Sequence, residues 1–177
     1  RLLAAGKHVL YVGKEDHLIG VLGVEDALRE DMKKALNRLR NLHVDEIVLL
    51  TGDIERTAEG IATRLAMDGY TANVLPADKA DEVQYHRIQG DRVAMVGDGI
   101  NDGPALAHAD VGIAMGTTRT DLAMEAADII IASDDALMLP ATVKTAQMTM
   151  SIIRQNFATA IGVNSIGLVL GSMGVIN

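Results

Sequence analysis

Short runs of apolar residues alternate with amphipathic segments along most of the chain, and this alternation limits the fold more strongly than any other sequence feature. The runs are rich in the strand-favouring residues valine and isoleucine, and they occupy residues 8–12, 18–24, 46–50, 71–74, 92–96, 111–115 and 128–132. The predicted helices cover residues 26–42, 54–67, 79–88, 103–108 and 121–127. Strands and helices that alternate at short spacing form parallel sheets covered by helices. The sequence therefore predicts an α/β fold with a doubly wound parallel sheet.

The predicted helix over residues 26–42 has the clearest helical pattern. Its basic residues lie toward its C-terminal end, as the helix dipole favours. Its apolar residues fall on one stripe, formed by Leu28, Met32, Ala35, Leu36 and Leu39. We expect this stripe to face the core.

A further helix is predicted after the last strand, and it ends in a long uncharged stretch. The Ser-Asp-Asp sequence of residues 133–135 is suited to cap a helix that begins near Ala136. Residues 157–176 are 20 consecutive positions without a formal charge, and about 20 apolar helical residues span a bilayer core. We expect residues 136–177 to form an amphipathic stalk followed by a transmembrane helix. The alternative is a buried helix that closes a soluble domain.

Charge and cysteine content exclude several classes of protein. The chain has 16 Lys and Arg against 24 Asp and Glu, a formal net charge of −8. This balance argues against a surface that neutralises nucleic-acid phosphates, so we expect no nucleic-acid partner. The chain has no cysteine, which excludes disulfides, thiolate metal sites and cysteine nucleophiles.

Polar residues that could carry chemistry follow three of the predicted strands. Ligands of parallel α/β sheets bind beyond the carboxyl ends of the strands, so these loops are the candidate site. In chain order they are Thr51-Gly52-Asp53, Leu75-Pro76-Ala77-Asp78-Lys79 and Gly97-Asp98-Gly99-Ile100-Asn101-Asp102-Gly103-Pro104.

The last of these loops contains two carboxylates, those of Asp98 and Asp102. Two carboxylates that face one cavity repel each other, and this repulsion would raise a pKa unless a cation lay between them. Mg²⁺ is a suitable cation because it binds one or two carboxylates together with water and phosphate oxygens. The loop therefore predicts a magnesium site. The alternative is a Gly/Asn turn with incidental acidic residues.

Thr51 and Lys79 offer the other two groups that phosphoryl transfer requires. The Thr51 hydroxyl is a neutral donor for a phosphoryl oxygen, and the Lys79 ammonium is a point charge, a kind of stabiliser that contributes about 10²–10³ in rate. Taken singly, Thr-Gly-Asp is also a common helix N-cap, and a lysine at a helix start is usually solvated. The combination of hydroxyl, ammonium and paired acids, each after a strand, favours a phosphoryl-transfer site.

These strings resemble the phosphorylation domain of P-type cation-transporting ATPases, members of the haloacid dehalogenase-like superfamily. The most specific match is GDGINDGPAL at residues 97–106, followed by AHADVGIAMG at residues 107–116. The resemblance runs from about residue 18 to residue 177. It implies a haloacid dehalogenase-like fold, with ATP and Mg²⁺ as cofactors.

The resemblance implies a role for each matching residue of the loop over residues 97–104, which we call the magnesium loop. Asp98 and Asp102 would hold Mg²⁺, and Asn101 would order the metal site and the phosphoryl pocket. Gly103 stands where the family usually has alanine.

The resemblance also implies roles for residues outside that loop. Thr51 and Lys79 would contact the phosphoryl group, while Gly52 and Asp53 would belong to the same site near the nucleotide. Asp26 resembles the hinge acid where the nucleotide-binding domain rejoins the phosphorylation domain.

The family is phosphorylated on the aspartate of a DKTGT string upstream of its nucleotide-binding domain, and this sequence contains no such string. Asp16 is no substitute, because its polar neighbours predict a solvated turn. The resemblance therefore divides the chain into a tail of the nucleotide-binding domain with the hinge (1–17), the second half of the phosphorylation domain (18–135), and the stalk with its transmembrane helix (136–177). We expect the chain to be inactive without the missing N-terminal part of the same pump.

The implied function is ATP-driven transport of a metal cation through an aspartyl-phosphate intermediate. The pump would be a multi-pass protein in contact with membrane lipid, in the plasma membrane, with its phosphorylation domain in the cytoplasm. The short stretch between Asp53 and Gly97 and the sequence of residues 153–156 favour the heavy-metal transporters. Copper-type members carry a Tyr-Asn pair where this chain has Val163-Asn164, and Asn164 is a candidate ligand of the transported ion.

Three alternatives remain at this point. The chain could be part of a potassium-pumping P-type ATPase. It could be a soluble haloacid dehalogenase-like phosphatase, which would need its own upstream DxD nucleophile. It could also be a regulatory chain that pairs with a separate catalytic half.

Overall fold

A computed structural model describes residues 8–24, 28–99, 101–117 and 121–173. Strands and helices alternate from β3 onward, as the sequence predicts. In chain order the elements are β1 His8–Lys14, β2 His17–Val24, α1 Met32–Asn41, β3 Val48–Leu50, α2 Glu55–Leu65, β4 Gly69–Thr71, α3 Lys79–Gln89, β5 Ala94–Gly97, α4 Gly103–His108, β6 Val111–Met115, α5 Asp121–Ala126, β7 Ile129–Ile131 and α6 Met138–Ser172.

The strands from β3 to β7 pair in parallel. β3 pairs with β4, and Leu49 lies opposite Tyr70. β5, β6 and β7 form a three-stranded sheet in chain order, in which Ile113 of β6 lies opposite Val96 of β5 and Ile129 of β7. A helix connects each pair of neighbouring strands, as parallel pairing requires. The predicted α/β fold with a parallel sheet is confirmed for this part of the chain.

The first two strands depart from the prediction because they form an antiparallel hairpin rather than members of the parallel sheet. Lys14 lies opposite His17, so only two residues connect the strands. A parallel connection needs a dozen or more residues, so a two-residue link permits only antiparallel pairing. The link adopts a turn in which Glu15 has a positive φ of 53°. The predicted boundary between the tail of the nucleotide-binding domain and the phosphorylation domain, at residue 17, lies next to this turn. The domain boundaries themselves stay a prediction.

Three aspartates fix the starts of parallel strands in the same way. Each directly precedes a strand, and its carboxylate accepts a hydrogen bond from a backbone N–H at the start of the neighbouring strand. Its own backbone N–H donates to the carbonyl of that same neighbouring residue. The pairs are Asp68 with Ile47, Asp110 with Val93, and Asp128 with Gly112, and all six donor–acceptor distances are between 2.8 and 3.0 Å. We call this reciprocal pair of hydrogen bonds an aspartate clasp.

Two apolar clusters form the core. The first lies between the three-stranded sheet and the helices α3 and α4, and its buried members are Val83, Met95, Ala105, Leu106 and Ala114. The second joins α1 to α2 through Leu36, Leu39 and Leu65, with Leu28 and Met32 packed against it. The predicted apolar stripe of the first helix therefore faces the core. The helix itself begins at Met32 rather than at residue 26. The Asp31 carboxylate at its start makes no cap hydrogen bond to α1 and accepts one from Ala136 N instead.

The long helix α6 begins against α1 and continues away from it. Leu139 and Val143 pack on the second cluster, and Gln147 Nε2 donates to Leu42 O at 2.7 Å. Further along, nearly all side chains of the helix are exposed. No helix in the part of the chain that the structure describes combines the length and apolar character of a membrane crossing. The end of the predicted span, residues 174–176, lies outside the described residues.

The aspartate clasps predict a pH-dependent contribution to stability. The Val93 N–H and the nearby guanidinium of Arg87 hold the pKa of Asp110 below its usual value of 3.8. The charged carboxylate therefore contributes stability that is complete above about pH 3.8 and is lost as the pH falls through the lower folded-state pKa. We expect Asp110→Asn to be less stable than the wild type at neutral pH, in urea-unfolding curves measured over a pH series.

This difference should shrink as the pH falls below 3.8, because the wild-type carboxyl then becomes neutral as well. Asp16→Asn, in the exposed hairpin turn, is the matched control and should show no such pH-dependent difference. A stability difference for Asp110→Asn that is constant with pH would contradict the prediction.

Candidate functional site

Two of the three predicted loops follow the carboxyl ends of β3 and β5, which belong to separate parallel sheets. Thr51 directly follows β3, and Asp98 directly follows β5. Lys79 is the first residue of α3, which connects β4 to β5. The elements therefore place the predicted hydroxyl and the Asp98 carboxylate after the carboxyl ends of parallel strands, and the predicted ammonium at the start of α3.

The closest contact in this site joins Lys79 to Asp102. The Lys79 Nζ atom donates to Asp102 Oδ1 at 2.6 Å, and the side chains are only 14% and 12% exposed. Asp102 immediately precedes α4 and its carbonyl accepts the first helical hydrogen bond, from Leu106 N at 2.8 Å. Because the pair is largely removed from water, each charge depends on the other for compensation.

Gly97, the last residue of β5, makes room for this ion pair. A Cβ atom at position 97 would lie 2.6 Å from the Asp102 Cβ and would collide with its carboxylate. Any larger residue would therefore push the Asp102 side chain away from Lys79. The sequence places Gly97 in the loop but does not reveal this steric role.

The Thr51–Asp53 loop is held to the residues that follow β4. The Thr51 hydroxyl accepts a hydrogen bond from Asp53 N and donates to Asp53 Oδ2, both at 3.1 Å. Backbone hydrogen bonds connect Val74 N to Thr51 O at 3.1 Å and Asn73 N to Asp53 O at 2.8 Å. A Cβ at Gly52 would lie 3.3 Å from Val74 O. The hydroxyl is therefore fixed at the sheet edge by its own loop.

The donor set around Asp98 fits a hard cation. Asp98 is exposed, and its Oδ1 accepts a hydrogen bond from Asn101 N at 3.3 Å. Gly99 has a positive φ of 80°, which bends the chain back between the two residues. Carboxylate and amide oxygens with open access to water and phosphate suit Mg²⁺. No group of three or more histidines, aspartates or glutamates in the described ranges is arranged to hold a metal by itself.

The structure changes the physical reason for the predicted magnesium site. The sequence predicts a metal ion that relieves the repulsion between Asp98 and Asp102. In the structure Asp102 is neutralised by Lys79 instead. The magnesium role of Asp98, Asn101 and Asp102 therefore stays a prediction that rests on donor chemistry.

This arrangement does not test two of the predicted site residues. Asp26 lies outside the described residues, as does Ile100 of the magnesium loop. Asn164 is exposed on α6, well beyond the part of the helix that packs on α1. Their predicted roles are untested by the geometry.

A family comparison decides the class of the protein. The haloacid dehalogenase-like hydrolase family matches residues 1–110. The chain belongs to this family. The match extends further toward the first residue than the motifs alone indicated.

The most informative relatives of this haloacid dehalogenase-like chain are metal-transporting P-type ATPases, which confirms the resemblance found in the motifs. The copper-exporting P-type ATPase of Staphylococcus epidermidis is 40% identical over 171 residues, which are 97% of this chain and 21% of that protein. The cadmium-transporting ATPase of Staphylococcus aureus is 40% identical over 165 residues, which are 93% of this chain and 23% of that protein. The chain thus spans about a fifth of the length of these relatives.

A solved structure supports the same conclusion. The crystal structure of a zinc-transporting PIB-type ATPase in its E2·Pi state has a TM-score of 0.87 against this haloacid dehalogenase-like chain, at 38% sequence identity. The superposition covers 99% of this chain and 28% of the other.

The steric role of Gly97 predicts that Gly97→Ala disrupts the Lys79–Asp102 pair. Overpacking of a close contact costs about 1–3 kcal/mol, so we expect a destabilisation of that size in chemical unfolding. Gly60→Ala is the control, because a Cβ at that helical position meets nothing within 4 Å, and alanine favours a helix over glycine by about 1 kcal/mol. Equal stability changes in the two variants would contradict the assigned role.

Proposed function

We propose that this chain supplies the magnesium-binding and phosphoryl-contacting part of an ATP-driven metal-cation pump that works through an aspartyl-phosphate. The Lys79–Asp102 ion pair carries the proposal. It places an ammonium beside a carboxylate, and Thr51 and Asp98 directly follow the carboxyl ends of the parallel strands β3 and β5. The proposal is supported by P-type ATPase relatives that match nearly the whole chain.

The site offers three functions for phosphoryl transfer. The Lys79 ammonium can face the negative oxygens of a phosphoryl group, and preorganised charges of this kind stabilise the transition state without reorganising. The Thr51 hydroxyl can donate to a phosphoryl oxygen. Asp98 and Asp102, with Asn101, would hold Mg²⁺, which neutralises the charge on phosphate oxygens when it is bound.

The nucleophile must come from another segment, because no DKTGT string occurs in this sequence. A groove of about 630 Å³ offers space for it. Both β3 and β5 line this groove, through Val48, Leu50, Ala94 and Met95, and the two strands belong to separate sheets. A parallel strand seated between them would end between Thr51 and Asp98. We infer that the segment with the phosphorylated aspartate occupies this groove.

The transported cation is proposed to be a heavy-metal ion. Relatives of equal identity are named for copper and for cadmium, and the similar structure is named for zinc. These names favour heavy metals over the potassium-pumping alternative. Asn164 stays our candidate ligand within α6, since a polar side chain at membrane depth usually has a functional or packing role.

The proposed location follows from α6. Its first turns pack on α1 and its far end belongs to the uncharged stretch of residues 157–176. We propose that the packed part is the stalk and that the uncharged part enters the membrane. The remaining elements would then lie in the cytoplasm, where ATP is available.

The role of Lys79 predicts the behaviour of Lys79→Ala in the full-length pump. Phosphoenzyme formation from ATP should fall on the order of 10²–10³-fold, while Mg²⁺ binding persists because Asp98 and Asp102 remain. Lys33→Ala, an exposed position on α1, is the matched control and should leave phosphoenzyme levels unchanged. Wild-type phosphoenzyme formation by Lys79→Ala would overturn the assigned role.

The membrane role of α6 predicts a difference between the whole chain and a form that ends at residue 156. After expression and a carbonate wash, the whole chain should stay with membranes and float with them in a density gradient, because about 20 apolar residues suffice to anchor a protein. The shorter form should be released. Release of both forms would favour the soluble phosphatase.

A further inference from the structure

Polar contacts at both ends of α3 join this helix to α4 and the residues that flank it. At the start of α3, Lys79 pairs with Asp102, directly before α4. Near the end of α3, Arg87 Nη1 donates to His108 O at 2.7 Å. Arg87 Nη2 also lies 3.2 Å from Asp110 Oδ1. Arg87 therefore contacts the last residue of α4 and the residue before β6.

Asp110, one of the two partners of Arg87, is itself fixed to the sheet. Asp110 forms an aspartate clasp with Val93, since its Oδ2 accepts from Val93 N at 3.0 Å and its backbone N–H donates to Val93 O at 2.9 Å. Val93 directly precedes β5, and β5 ends at Gly97 beside Asp102. The guanidinium thus connects α3 to the strand that carries the magnesium loop.

Between these ends, apolar packing joins the two helices, since Val83 of α3 packs with Ala105 and Leu106 of α4. Arg87 lies roughly 12 Å along the axis from Lys79, at about 1.5 Å per residue. A contact at that distance limits the tilt of α3, and hence the position of its first residue.

We propose that Arg87 is a positioning residue for Lys79. Through its contact with the clasped Asp110, Arg87 holds the Lys79 ammonium against Asp102. Its planar guanidinium donates to two acceptors at once, which a lysine ammonium cannot do with the same geometry. The inference rests on the proposed function only in giving Lys79 a phosphoryl-contacting role. The positioning itself follows from the contacts.

The test measures how easily the Lys79 amine is reached in the 177-residue chain, without nucleotide. The chain is treated briefly with acetic anhydride, and mass spectrometry gives the acetylation rate of Lys79 relative to the exposed Lys33 and Lys34 of α1. In Arg87→Met the relative rate for Lys79 should rise about fivefold, the factor equivalent to about 1 kcal/mol. Arg87→Lys should give an intermediate rate. Arg38→Met, which removes an exposed arginine from α1, should leave the ratio unchanged.

A wild-type ratio in folded Arg87→Met would overturn the proposal. If that variant does not fold, Asp110→Asn provides the same test, because asparagine can still accept from Val93 but does not attract Arg87. An unchanged ratio in Asp110→Asn, or equal acceleration of all lysines, would then overturn the proposal as well. These outcomes do not depend on turnover. Failure of Lys79→Ala to reduce phosphoenzyme in the full-length pump would overturn the proposed function alone.

Discussion

The ion pair between Lys79 and Asp102 is the interaction on which the rest of the site depends. Removing two charges from water is costly, and their attraction repays this cost only when the geometry is good. Good geometry here requires a glycine at position 97, a helix that begins directly after Asp102, and another that begins at Lys79. The short spacing of these elements along the chain is therefore a condition for the site and not only for the fold.

The two ends of the parallel strands have different roles in the structure. The aspartate clasps of Asp68, Asp110 and Asp128 fix the edge where the strands begin. The opposite edge carries Thr51 and Asp98, whose loops are held by local hydrogen bonds. Because each strand is secured at its start, the residues after its end can be chosen for chemistry. Because the strand starts supply the stability, polar residues that follow predicted strands are informative about function.

Much of the fold was predictable from the sequence because its signals are local. Periodicity located β6 and α4, and the apolar stripe of α1 faces the core. The sequence predicts β1 and β2 as strands but not as an antiparallel hairpin. Apolar runs do not encode strand direction, and here the two-residue link decides it. The predicted strand at 71–74 lies at Gly69–Thr71, because the Asp68 clasp sets its start and Asn73 turns away with a φ of 56°. The pairing of Lys79 with Asp102, 23 residues apart, depends on tertiary packing and has no local signal.

The way in which α6 is attached determines what it could transmit. Asp31 accepts from Ala136 N just before the helix, and Leu42 O accepts from Gln147 about three turns into it. Both anchors belong to α1 or its flanking residues, so they tie the start of α6 to α1. A helix of 35 residues is roughly 50 Å long, and its exposed end extends well beyond these anchors. A small rotation of the anchored part therefore becomes a larger displacement at the far end, as a stalk that couples phosphorylation to transport would require.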